Sequence, residues 1–152
     1  MATSKRQLIL ENIKAAFALI TVAGGYNFTV GYKGIGAKHI TEIPADMFPA
    51  LIVAGADEDR NNVTNSGFKS VMDVSIFGCV RSSDVKSPEI AESDLSKLIS
   101  DLTKALYVDH TRGGNCTYTE IGVIQADKGY AQPYAAFEMT VQVEYRGEFT
   151  AP

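Results

Sequence analysis

Hydrophobic and polar positions alternate without a slip over "FEMTVQVEYR", where Phe137, Met139, Val141, Val143 and Tyr145 interleave with Glu138, Thr140, Gln142, Glu144 and Arg146. Successive strand side chains point to opposite faces, so this pattern predicts a long β-strand with one apolar and one polar face. A second alternation runs from Ser70 to Arg81, with Met72, Val74 and Ile76 pointing one way and Asp73, Ser75 and Phe77 the other. "MFPALIVAG" contains a strand at about 50–54 that is apolar on both faces, which predicts a central position. "YNFTVGY" (26–32), rich in aromatic and β-branched residues, reads as a further strand, and residues 115–126 and 134–146 as the two final ones.

Two stretches follow the helical period instead. Leu8, Ile9, Ile13, Ala16, Phe17 and Ile20 form one stripe over residues 4–21, with Ser4 as N-cap and Gly24-Gly25 after the last turn. In "KSPEIAESDLSKLISDLTKAL" the buried stripe is Ala91, Leu95, Leu98, Ile99, Leu102 and Leu106. Glu92, Lys97, Asp101 and Lys104 are expected to stay wet, with Ser87 as N-cap and Pro88 at the first helical position. "KGIGAKHITEIPAD" reads as a loop or ragged edge, "TRGGN" as a turn and "DKGYAQP" as a connection. Residues 55–69 are polar and charged, and predict a long mobile loop of a length that is often functional. The expected order is α-β-β-β-α-β-β: an α+β fold with an antiparallel or mixed sheet, both amphipathic helices on its apolar face and the other face uncovered.

At 152 residues the chain fits one domain, 1–152, able to bury a core without staples. A net charge of −4 argues against a grip on nucleic acid built from Lys and Arg. Cys79 and Cys116 are far apart and have no CxxC spacing, so two reduced thiols in a reducing cytosol are expected. The start "MATSKRQLILENIK" is broken by charges, so no signal peptide is expected, and no apolar run approaches the ~20 residues of a membrane span.

Candidate chemistry fails at each motif. "GYKGIGAKH" has Ala37 where a phosphate loop needs lysine, and the dinucleotide pattern would need glycine at position 39, which is His39. "DEDRN" places Asp57, Asp59 and Asn61 as in a calcium loop, but Asn62 and Phe68 replace the required glycine and glutamate. His39 and His110 lack the further closely spaced ligands of a zinc site, and Cys116, six residues after His110, lacks an orienting third group. The sequons at Asn27, Asn62 and Asn115 are coincidences of composition if the chain is not secreted. Glu138 and Glu144 would lie about 20 Å apart on one strand, too far to cooperate as acid and base. The expectation is no enzyme, with no catalytic residue, cofactor or metal.

Five segments carry a family resemblance: "RQLILENIKAAFALI", "FPALIVAG", "SVMDVSIFGCV", "SPEIAESDLSKLISDLTKAL" and "FEMTVQVEYRG". In their order and size they resemble tail terminator (tail completion) proteins of long-tailed bacteriophages, over almost the whole chain. The resemblance implies a homo-oligomeric, six-membered ring at the head-proximal end of the virion tail. Such a ring ends tail tube growth and presents a surface to the head connector or neck protein. It is made in the host cytoplasm, has no membrane partner, and lets DNA pass without specific binding. The uncovered sheet face, with Glu138, Gln142, Glu144 and Arg146, would then face the lumen or a neighbouring copy. The 55–69 segment would reach a neighbour or the tube through Asp57, Asp59 and Arg60, with Val63 and Phe68 as apolar anchors. Two other readings stay open: another head–tail connector or neck protein, and a small monomeric ligand-binding module.

Overall fold

The computed structural model describes residues 3–81, 88–127 and 134–150. Its order is α1 (Lys5–Phe17), β1 (Tyr32–Ile35), two 3-10 turns (Ile40–Glu42 and Ala45–Met47), β2 (Ala50–Asn62), β3 (Gly67–Arg81), α2 (Pro88–Val108), β4 (Tyr118–Ala126) and β5 (Tyr134–Glu148). The five strands form one mixed sheet in the order β1-β2-β3-β5-β4, so the fold is α+β with two helices. β1 runs parallel to β2, and every other pairing is antiparallel.

The central pair is β3 and β5, in continuous register from Gly67↔Glu148 to Arg81↔Tyr134. Because side chains alternate, that register places Met72, Val74 and Ile76 beside Val143, Val141 and Met139 on one face. These residues share a single buried cluster with Ile9, Ile13 and Phe17 of α1 and Leu95, Leu98 and Leu102 of α2. Gly78 marks a point of tight packing on this face. A Cβ there would overlap the ring of Phe137, its partner across the ladder, so the glycine makes room for the aromatic side chain.

The helices follow their hydrophobic stripes, with changes at the margins. Ser4 caps α1 by accepting from the Gln7 N–H. Leu10 is buried while Leu8 is half-buried, and Ile20 is buried beyond the helix end. Gly25, at φ +89°, serves a later turn rather than the helix terminus. Around Arg112, Gly113 and Gly114, all at positive φ, the chain turns from α2 toward β4, and the Arg112 guanidinium donates to the carbonyls of Leu106 and Asp109. Ser87 lies outside the described residues, as does "DKGYAQP" beyond Asp127.

Four expectations need correction. The first strand is not 26–32 but Tyr32–Ile35. The Asn27 and Phe28 N–H groups donate to the Asp101 carboxylate at 3.0–3.1 Å, and the Asn27 amide adds a third donor, so this backbone is tied to α2 and not to the sheet. Asp101, expected in water, is for the same reason buried, at 3% exposure. Residues 55–69 are not a loop, because β2 runs to Asn62 and β3 starts at Gly67, leaving a four-residue turn. The polar composition hid two paired strands whose ladder runs from Ala50↔Cys79 to Asn62↔Phe68. Finally, the face opposite the helices is only partly bare. The β1–β2 connection folds over one end of it, where Ile43, Ala50 and Ile52 form a second small cluster with Tyr32, Met47 and Phe48.

Gly78→Ala is expected to lower stability by about 1–3 kcal/mol, the usual range for forcing an extra carbon into a packed core. The check is urea unfolding, read as a lower midpoint with unchanged slope.

Candidate functional site

The face of the sheet away from the helices is composed row by row through the registers. Nearest the β2–β3 turn stand Asn61, Lys69 and Arg146, then Asp59, Val71, Glu144 and Tyr118. Asp73, Gln142 and Glu120 follow, then Ala54, Ser75 and Thr140. The far rows are Ile52, Phe77, Glu138 and Gln125, then Ala50, Cys79 and Ala136. The face therefore grades from charged, at the hairpin end, to apolar where residues 36–49 cover it.

Within the charged half, Glu144 is nearly buried and pairs with Lys69 at 3.2 Å. Burial pushes the Glu144 carboxyl up, but hydrogen bonds from Lys69 and Tyr118 outweigh it and hold it below the usual value. Glu138 accepts from the Ser75 hydroxyl at 3.2 Å. Gln142 and Arg146 are exposed, and the Arg146 carbonyl accepts from Lys5. On this face Glu144 and Glu138 are thus paired, while Gln142 and Arg146 reach into solvent.

The hairpin is built around an inward-facing carboxylate. Strict alternation from Val53 and Gly55 would turn Asp57 toward the helices. A bulge instead sets Ala56 and Asp57 against Asp73, and restores register at Glu58↔Met72. Asp57 is exposed. Glu58, with its side chain 12% exposed, accepts from Arg60 Nε at 2.7 Å and from the Tyr145 hydroxyl, and lies 4.0 Å from Arg6. The Arg60 guanidinium also sits 4.4 Å over the Phe68 ring, which stacks edge-on against Tyr145. Burial alone would raise the Glu58 carboxyl, yet the hydrogen bonds of Tyr145 and Arg60 and the Arg60 charge hold it below its ordinary range.

The nine residues singled out from sequence therefore fall into different places. Asp57 and Asp59 are exposed along β2, and Val63 is exposed at the turn. Phe68 is no external anchor: it is 1% exposed and belongs to the core. Arg60 is engaged with Glu58, Tyr145 and Phe68. Glu138, Gln142, Glu144 and Arg146 share one strand face, as alternation requires.

Among the described residues no group of three His, Cys, Asp or Glu could hold a metal ion. The His39 ring accepts from the Thr41 N–H, while the Cys116 thiol donates to the His110 carbonyl. Burial raises the Cys116 thiol. No described helix is long and apolar enough to cross a membrane. Sequence reasoning missed an apolar recess on the covered end of this face, floored by Ile52, Phe77 and Ala136. Its signal was Phe77 and Ile52 themselves, apolar residues at outward strand positions.

Glu58→Gln is expected to lower stability by about 1.5–3 kcal/mol at neutral pH, the range for hydrogen bonds to a charged group. The folded carboxyl lies below its unfolded value, so its contribution is present above the ordinary carboxylate range and is lost as pH falls through the folded value. The gap between wild type and variant, followed by urea unfolding from neutral to acidic pH, is therefore expected to close on acidification. No family model matches the chain, and no curated protein matches it.

Proposed function

We propose that this chain is a structural virion subunit: copies assemble into a ring that caps a phage tail tube, ends its polymerisation and offers a surface to the head connector. What supports the reading is the sheet face of the central strands β3 and β5, which displays Ser75, Thr140, Gln142, Glu138 and the Lys69–Glu144 pair with neither described helix over it. A central-strand face is rigid, because both flanking ladders fix its backbone. Such a face has little backbone entropy left to lose on docking.

A closed ring needs two different patches on each copy. The sheet face supplies one. The β2–β3 hairpin, held on Glu58 and tipped by exposed Val63, supplies the other. The same face carries both signs of charge with an acidic excess, Lys69 and Arg146 beside Asp59, Asp73, Glu120, Glu138 and Glu144. A lumen with that balance would release little counterion to DNA and so let it slide. Other neck or connector roles fit the same surfaces.

Particles lacking the protein are expected to carry over-long tubes, whereas tailless heads beside normal tails would assign it to the connector instead. Thr140→Arg with Gln142→Arg is expected to leave the unfolding midpoint nearly unchanged, since both positions lie off the core, and to abolish capping of purified tubes in electron micrographs. Val63→Asp, at the exposed turn, is expected to give the same pair of results. Full capping by either variant would contradict these surfaces.

A further inference from the structure

The recess on the covered end of the sheet face is half open to solvent and has a volume of about 210 Å³. Its floor is Ala50, Ile52, Phe77, Cys79 and Ala136, and its wall is the β1–β2 connection with Ile40 and Ile43. Among the described residues that line it, Lys38 is the one that carries a charge. Its ammonium stands 5.0 Å from the Tyr32 ring centroid, which holds the cation beside the apolar body of the recess. An enclosed apolar cavity of about 150 Å³ is large enough for benzene, so this one suits a ligand of ~8 carbons. The floor offers carbon and a thiol. The charge that complements Lys38 is an anion.

We propose that this recess binds a small monocarboxylate, its hydrocarbon body on Ile52, Phe77 and Ala136 and its carboxylate at Lys38. The site is separate from the charged half of the sheet face, and it does not depend on assembly into a ring. Apolar burial supplies most of the affinity, because an exposed lysine–carboxylate pair contributes little. The Cys79 thiol lines the floor and is pushed up to about 12 by burial, so it stays neutral and leaves the floor apolar.

The full chain should be titrated with octanoate and, separately, with octan-1-ol by calorimetry. Octanoate is expected to saturate a single site in the millimolar range or tighter. Lys38→Ala should weaken octanoate about two- to fivefold, as for an exposed ion pair, and leave octan-1-ol unchanged. Ala136→Leu, which fills the floor from the outer face, should abolish both. In a Cys116→Ser background Cys79 is the sole thiol, and octanoate should slow its alkylation severalfold. This readout needs no change in the recess itself. The proposal is overturned by any of three results: no saturable binding with no protection of Cys79, binding that Ala136→Leu leaves intact, or a recess filled instead by a second copy, seen as self-association lost in Ala136→Leu.

Discussion

The register of β3 against β5 sets the rest of the molecule. Fifteen residues of each strand pair without interruption from Gly67↔Glu148 to Arg81↔Tyr134, and every side chain of both strands is thereby assigned to a face. A slip of one residue would bring Lys69, Asp73 and Ser75 under the helices and expose Met72, Val74 and Ile76. The burial of those three residues against both helices makes such a slip prohibitive. Gly78 under Phe137 adds a steric lock at one point along the ladder. The same register that builds the core also builds the outer face, and it cannot change one without the other.

Irregularities in the flanking strands tune that frame. In β2 the bulge at 55–58 brings Glu58 inward, where Tyr145, Arg60 and Arg6 surround it. The hairpin is therefore tied to the sheet by a charged hydrogen-bond network as well as by its ladder, and Phe68 beneath it packs against Tyr145 and Phe149. In β4 a second bulge between Ile121 and Ile124 leaves Val123 exposed on an edge strand, a feature that discourages regular pairing along that edge. On the covered end, residues 36–49 turn an otherwise flat strand face into a recess. One sheet thus presents a polar plateau, an apolar pocket and a stiffened hairpin.

Much of this was legible because it rests on local periodicity. The alternation of Phe137 through Arg146 and of Met72 through Phe77 reads directly into strand faces, and Ser4 and the leucines of α2 read into a capped and a striped helix. What was hidden depends on partners distant in sequence. Asp101 looks like a wet helix residue until the Asn27 and Phe28 amides meet it. "DEDRNNVTNSG" looks like a loop because its polar residues pair across a ladder and one of them, Glu58, is satisfied by Tyr145 far along the chain. Phe68 reads as an exposed anchor when its neighbours are polar, and only the packing of Tyr145 and Phe149 shows it to be core. The recess was invisible for the same reason: its wall and floor come from three separate strands and a connection.

The proposed role turns on what the β3–β5 outer face meets in the assembled particle. The most direct measurement is a cryo-electron-microscopy reconstruction of the chain bound to the end of purified tail tubes. The expected result is a closed ring in which Thr140 and Gln142 face the channel or touch the adjacent copy. A ring with those two residues on its outer wall, open to solvent, or tube ends that stay bare at saturating protein, would contradict it.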